Sequence, residues 1–488
     1  MNSSRQAPLP ANTQMTKNNT QGTAPLEAEN EKCENRSMTI PRKSSAIRAI
    51  AQSIIARSTM IGVNAATGIL TARALAPQGR GELSAMIMWP VFLANAMTLG
   101  IPNALRYHLR RGTIATKDLV GSALLLSIAS NILAAAIAAS FMPRILHLYS
   151  SDVVRFAQIF LINAPICILV QLCRATFEAS ENFKASTQSQ WLVPSLNLFG
   201  LVLLALFHRF TPVTAGYVYV FGAFPIILWM VAQLWKKYRP ALGEFKTSAK
   251  ALLSYGIKSY GIDLCTTLSL YVDQTLAVGM LGAEAMGTYV VALSLSRMLS
   301  MTIQASVVMV LFPKAVGRSK EEIIAITGKA ARVSTLCTVS MAAGIYVFGP
   351  TVLHLLYGRA YMSAAPMLRV LLIEVVLASL TGVLAQAAMA LGRPGIVTLL
   401  QSIGLALTVP FMMIMIPRLG MIGAAYALLL STFCRFLFIQ FSFPLFLGVK
   451  RPRLWFSLSD VHDLATHGAG MFPALGRLLP SWIANTSS

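Results

Sequence analysis

Long apolar stretches separated by short polar ones run along nearly the whole chain. About twelve of them reach the roughly 20 residues that a helix needs to cross a bilayer. They fall near 46–70, 82–106, 118–142, 153–174, 186–208, 212–235, 252–279, 287–312, 328–350, 364–390, 396–417 and 421–447. Prolines 90, 165, 194, 225 and 410 interrupt several of them. A spanning helix tolerates such breaks where neighbouring side chains or water satisfy the freed carbonyls. The expected fold class is an all-α polytopic membrane protein, flanked by a polar arm (1–45) and a short mixed tail (448–488).

The pattern occurs twice. LTARALAPQGRGELSAM (70–86) aligns with AVGMLGAEAMGTYVVAL (277–293) at an offset of roughly 206, with Gly81 falling on Gly287. HLYSSDVVRFAQIF (147–160) aligns with LLYGRAYMSAAPMLRVLL (355–372) through Tyr149 and Tyr357, and the stretch around Gln190 meets the one around Gln401. Two pseudo-symmetric six-helix bundles follow, 46–240 and 241–447. Such a doubled bundle is a transporter plan, because one half can rock against the other.

Composition agrees with membrane embedding: 55% of residues are hydrophobic, 12% are charged, and the mean hydropathy is +0.63. The net charge of +22 would suggest nucleic acid in a soluble protein. Here the Lys and Arg residues concentrate in alternate connections, among them Arg106, Arg110, Arg111, Lys236, Lys237, Lys246 and Lys250. That is the positive-inside bias, so both termini are expected in the cytoplasm and no nucleic-acid partner is implied. The arm 1–45, rich in Asn, Thr, Ser and Gln, has no apolar segment of a cleavable signal and reads as disordered. In the tail, LWFSL (454–458) and MFPALGRLLPSWI (471–483) are candidates for lying on the membrane surface.

Catalytic chemistry has no foothold. The chain has no Walker loop, and its six cysteines and six histidines are scattered without metal-ligand spacing. The expectation is therefore a protein without enzymatic activity, catalytic residues, cofactor or metal.

The informative residues are polar ones inside the spans. Ser53, Arg57, Asn64, Thr67 and Thr71 share one face of the first helix, and Arg297, Ser300 and Gln304 one face of the eighth. The twelfth carries Ser431, Arg435 and Ser442, the seventh Asp263, Asp273 and Gln274, and the tenth Glu374 and Thr381. An unpaired arginine near mid-bilayer costs roughly 3 kcal/mol, so these stripes imply a shared hydrated cavity. Arg57, Asn64, Arg297, Gln304 and Arg435 are the candidate substrate-binding residues; Asp263, Asp273 and Glu374 are the candidate ion-coupling residues. Bland alternatives stand beside each. Arg57 can snorkel to the surface, Arg297 can form a structural ion pair with Asp273 or Asp263, and Glu374 can pair with Arg435.

YVDQTLAVGMLGAEAMGTYVVALSLSRML (271–299), LFPKAV (311–316), the 355–372 stretch and ALGRPGIVTLLQSIGLALTVPFMMIMIPRLGMIGAAYALLLS (390–431) carry a family resemblance. Together with ARALAPQGRGELSA (72–85), they resemble the polysaccharide-transporter branch of the multidrug/oligosaccharidyl-lipid/polysaccharide flippase superfamily. The resemblance implies two six-helix bundles in a V, alternately open to either side of a bacterial inner membrane. It implies a flippase that moves an undecaprenyl-diphosphate-linked oligosaccharide to the outer leaflet for cell-surface or exported polysaccharide. Its partners would be that lipid-linked substrate, membrane lipids, and polysaccharide polymerase or export proteins. The shared motifs are structural, so the site residues rest on the stripes alone. Arginine could grip the diphosphate through paired donors. If two charges cross the field, outward transfer gains about 4.6 kcal/mol per 100 mV.

Three alternatives remain open at this level. A cation-coupled exporter of organic cations would want a more acidic and aromatic site. A lipid-linked peptidoglycan precursor is a second cargo option. A non-transporting scaffold for polysaccharide assembly would depend on the arm 1–45 rather than on the arginines.

Overall fold

A computed structural model of the protein describes the backbone of residues 43–112, 114–315 and 318–454, and the side chains of those from 59 onward, save 262 and 301–315. The chain divides into two compact units, Met1–Ile55 and Ala56–Ser488. Of the first, only the helical stretch from Lys43 is described; the fold and site below belong to the second. Nearly all of the expected arm 1–45, and the tail beyond 454, lie outside the described residues.

Among the described residues the secondary structure is helical throughout. In chain order the helices are α1 (Lys43–Ala96), α2 (Ile101–Arg111), α3 (Thr116–Ile145), α4 (Ser151–Phe160), α5 (Asn163–Ala179), α6 (Phe183–Leu206), α7 (Pro212–Phe221) and α8 (Phe224–Tyr238). After the connection 239–244 come α9 (Phe245–Met280), α10 (Ala283–Ala315), α11 (Lys320–Tyr357), α12 (Ala365–Ala390) and α13 (Pro394–Ser442). A 3₁₀ turn (Arg359–Ala364) leads into α12, and a π turn (Phe443–Leu447) ends α13.

The breaks have local causes. Ala76 takes φ 55° ahead of Pro77 and splits α1, and Gly420 at φ 60° splits α13. Starts are capped: the Ser319 hydroxyl accepts the Glu322 amide, and Thr211 and Thr214 form a reciprocal capping box ahead of α7.

Among the described residues, seven helices are long and apolar enough to cross a membrane, or eight when the pair Thr59–Ala96 and Ile101–Arg111, bent by 43°, counts as one span. The protein is thus a multi-pass membrane protein, while the expected count of twelve is not reached by this measure. The shortfall has reasons. The two limbs of α13 run together across Gly420. Helix α9 is too polar to pass, with Lys246, Lys250, Lys258, Asp263 and Asp273 along it. In α1 and α10, part of the span lies beyond the described side chains.

Packing is unequal at the two ends of the bundle. At the end that holds the α3–α4 connection and the 3₁₀ turn, helices before and after residue 240 share one core. Met86, Trp89, Met142 and Phe160 pack there with Met286, Tyr289, Leu353, Tyr361 and Leu371. At the other end there are two cores. Ile101, Leu105, Phe177 and Met230 cluster on the earlier helices and take in Leu252 of α9, while Leu384, Leu400, Ile439 and Phe443 cluster on the later ones.

The shared end contains a close approach of two backbones. A Cβ on Gly81 would fall onto the carbonyl of Ala283 and 2.9 Å from the Gly287 amide nitrogen. A Cβ on Gly287 would fall onto the carbonyl of Pro77 and 2.9 Å from the Gly81 nitrogen. Each partner is the other's image at the offset of 206 read from the sequence. Small residues four apart, Pro77/Gly81 and Ala283/Gly287, let two helix starts touch backbone to backbone. Nearby, Tyr361 donates to the Ala72 carbonyl at 3.1 Å and Arg73 Nε to the Leu356 carbonyl at 2.8 Å.

The opposite end is joined by polar contacts. Asn103 Nδ2 donates to Asp263 Oδ2 at 2.8 Å, Tyr260 donates to the Ala96 carbonyl, and Tyr107 stacks on Tyr255 at 4.3 Å. Gly100, at φ 67°, meets Gly256 backbone to backbone there.

Candidate functional site

Four charged side chains converge inside the later helices, on α9, α10, α12 and α13. Asp273 is buried and receives two donors on Oδ2: Arg297 Nη2 at 2.7 Å and the Tyr289 hydroxyl at 3.1 Å. Its Oδ1 is buried and has no hydrogen-bond partner among the described residues. Arg297 is 30% exposed against 1% for Asp273, so the pair has one face open and one sealed. The helical hairpin α9–α10 produces it: Leu281 and Gly282 reverse the chain, and Asp273 then faces the helix that carries Tyr289 and Arg297.

A relay forms the second part. Glu374 Oε1 accepts from the Thr432 hydroxyl at 2.7 Å, and Arg435 Nη2 donates to the same hydroxyl at 2.6 Å. Thr432 and Arg435 are three apart on α13, hence neighbours on its surface. Arg435 Nε is buried without an acceptor. The arginine's stem lies over Gly404, where a Cβ would meet Cδ at 2.5 Å. Glu374 is within electrostatic reach of Arg435, Arg297 and Asp273, so the two pairs form one cluster. Its formal charge is balanced, two arginines against two carboxylates. Among the described residues, its fully buried atoms without a hydrogen-bond partner are a donor, Arg435 Nε, and an acceptor, Asp273 Oδ1.

Asp263 stands apart, ten residues before Asp273 and so about 15 Å down the helix. It belongs to a chain of contacts at the polar end. Asn103 bridges Asp263 to Arg106 Nη1 (2.7 Å), Arg106 pairs with Glu178 (2.8 Å), and Glu178 accepts from Ser186 (2.9 Å).

Of the substrate-binding candidates, Arg297 and Arg435 come together with the ion-coupling candidates Asp273 and Glu374. Asn64 is exposed and has no hydrogen bond to the cluster. The side chains of Arg57 and Gln304 lie outside the described residues. Sequence reasoning did not single out Tyr289, Thr432, Gly404 or Asn103. Thr432 and Asn103 each sit three residues before an arginine, and that spacing was a readable signal; for Tyr289 and Gly404 only the packing supplies one.

The polysaccharide biosynthesis protein family matches residues 70–366, more than half of the chain. The chain belongs to that family. No curated relative matches it in sequence. Among solved structures, this family member is similar to the lipid II flippase MurJ in an inward closed conformation, with a TM-score of 0.69 at 12% identity, covering 85% of this chain and 91% of that one. It is also similar to an inward-facing multidrug resistance MATE family transporter of the MOP superfamily, with a TM-score of 0.64 at 16% identity, covering 80% and 97%. A MOP superfamily transporter from Pyrococcus furiosus, described as having a binding pocket of reverse polarity, has a TM-score of 0.51 at 16% identity, covering 80% and 93%. The family member therefore has the helical fold of the MOP transporters.

Proposed function

We propose that the protein is a flippase, not an enzyme, which carries an undecaprenyl-diphosphate-linked oligosaccharide from the inner to the outer leaflet of a bacterial inner membrane. The observation that carries this reading is the unused donor and acceptor of the buried charge cluster, set in a polysaccharide biosynthesis family member with a transporter fold. A diphosphate sugar offers both complements: phosphate oxygens for Arg435 Nε and sugar hydroxyls for Asp273 Oδ1. Arg297 and Arg435 are the gripping residues, with Arg57, Asn64 and Gln304 as the further substrate-binding candidates. Asp273, Glu374 and Asp263 are the groups that would take up a proton or sodium ion on the return.

The moving parts in this reading are the segments 46–240 and 241–447, with both termini cytoplasmic. The apolar shared core closes the outer end, while the inner end, joined by hydrogen bonds and stacked rings, parts to admit a head group. Polymerase or export proteins would take over the flipped product.

The test is flipping of a fluorescent undecaprenyl-diphosphate oligosaccharide in proteoliposomes, comparing wild type with Arg297→Ala/Arg435→Ala. Transport lost in the double variant supports the assignment. The two carboxylates of the cluster, Asp273 buried and Glu374 half-buried, also favour a second reading, a cation-coupled exporter of organic cations. Silence toward the lipid, combined with dye export driven by a proton or sodium gradient, would replace the first reading with this one.

A further inference from the structure

A second charged feature lies away from the interior cluster, at the polar end, where α2 meets the start of α9. A pocket of about 710 Å³ opens there. One wall is a lysine stripe: Lys246, Lys250 and Lys258 follow the same face of α9 at steps of four and eight. Arg111 of α2 supplies a fourth cation from the opposite wall, and among the described residues no carboxylate lines the pocket.

Lysines one turn apart repel, at about 0.2–0.5 kcal/mol per pair, and carboxylates interspersed among them would be the ordinary remedy. An orientation signal alone asks only for net positive charge in a connection; it does not ask for a concave, acid-free wall.

The floor of the pocket gives an independent sign. The Tyr107 and Tyr255 rings stack at 4.3 Å and 15°, and His108 stands edge-on to Tyr255 at 5.9 Å. Both ring nitrogens of His108 are buried and have no hydrogen-bond partner among the described residues. Buried polar atoms are normally satisfied, so an imidazole left unpaired beside four cations is suited to an anionic acceptor. Arg111 is already aimed: its Nη1 donates to the Tyr107 hydroxyl at 2.8 Å, which leaves its other donors for a ligand. Beside the stripe, Ile257 is 62% exposed and Gly261 has open space around it. An apolar strip next to a cationic pocket matches a phosphate with a hydrocarbon tail better than a free phosphate.

We infer that this pocket binds the phosphate head group of an anionic lipid, with Lys250, Lys258, Arg111 and His108 as its contacts and the Ile257 strip under the acyl chain. The site is separate from the Asp273–Arg297 cluster and does not rest on the flippase reading.

The full chain in neutral detergent, titrated with short-chain phosphatidic acid and followed by thermal unfolding, tests the inference. Saturable stabilisation is expected, with binding at least tenfold weaker in Lys250→Gln/Lys258→Gln and in His108→Phe. It should be retained in Lys250→Arg/Lys258→Arg and in Lys236→Gln, which changes an exposed lysine outside the pocket. Short-chain phosphatidylcholine should give no saturable shift. If pyrophosphate binds as tightly and shows the same losses, the ligand is a soluble phosphate and the lipid assignment falls. If the glutamine variant binds phosphatidic acid as wild type does, or if phosphatidylcholine works equally well, the pocket is no phosphate site and its cations only orient the chain in the membrane.

Discussion

Arg297 donates to Asp273 at 2.7 Å from the next helix, and the aspartate is the sealed partner of the two. Removing one member of a buried pair leaves an uncompensated charge, which costs about 3–5 kcal/mol. Arg297→Met, which strands the sealed aspartate, should therefore destabilise the protein strongly, whereas Arg297→Met/Asp273→Leu should recover most of that loss. The double replacement should still fail to transport. Thermal unfolding in detergent combined with flux in proteoliposomes separates the two effects. Full transport by the double variant would reduce the pair to a structural tie.

Arg435 can be moved without altering its charge. A methyl at position 404 would meet the stem of Arg435 rather than backbone, so Gly404→Ala should cost about 1–2 kcal/mol, toward the low end for overpacking. The displaced guanidinium should lose its hold on Thr432, and transport should fall several-fold. Unchanged flux in this variant would detach Arg435 from substrate handling.

Gly81 and Gly287 offer the opposite case, because each would-be methyl meets a backbone carbonyl. Gly81→Ala and Gly287→Ala should each destabilise by about 1–3 kcal/mol. Because both strike one contact, the double variant should lose clearly less than the sum. Additive losses would show that the two glycines do not share an interface.

The polar end should open more readily when Asn103 is replaced. Asn103→Leu removes the bridge between Asp263 and Arg106. Maleimide labelling of Cys265, in a background with the other five cysteines replaced, should then speed up. An unchanged rate would mean that the bridge does not restrain that end.

The sequence showed part of this directly. An offset of 206 recorded in Gly81 and Gly287 survives because two backbones can touch only through small residues, so position and geometry carry the same information. The acids and arginines were visible as polar letters in apolar runs, yet their partners were not. Whether Arg297 meets Asp273 or Asp263 depends on how far α9 and α10 are rotated about their axes, and both aspartates lie on the same helix. Glu374 and Arg435 match by charge in the sequence, but the hydroxyl between them belongs to Thr432, one uncharged residue among several in that helix. The span count was the least legible feature, because the polar stripe of α9 lowers the hydropathy by which spans are counted.

The contact of Gly81 with Gly287 has the symmetry of an isologous dimer interface, in which one patch faces its own copy across a twofold axis. A chain of half this length, carrying one such glycine, would have closed on a second copy through the same surface. Any substitution there would have struck the dimer twice. Joining the copies in one chain lifts that coupling, and the flanking positions show its release. Arg80 and Glu82 on one side correspond to Met286 and Thr288 on the other, so each half can be tuned alone around an unchanged glycine pivot.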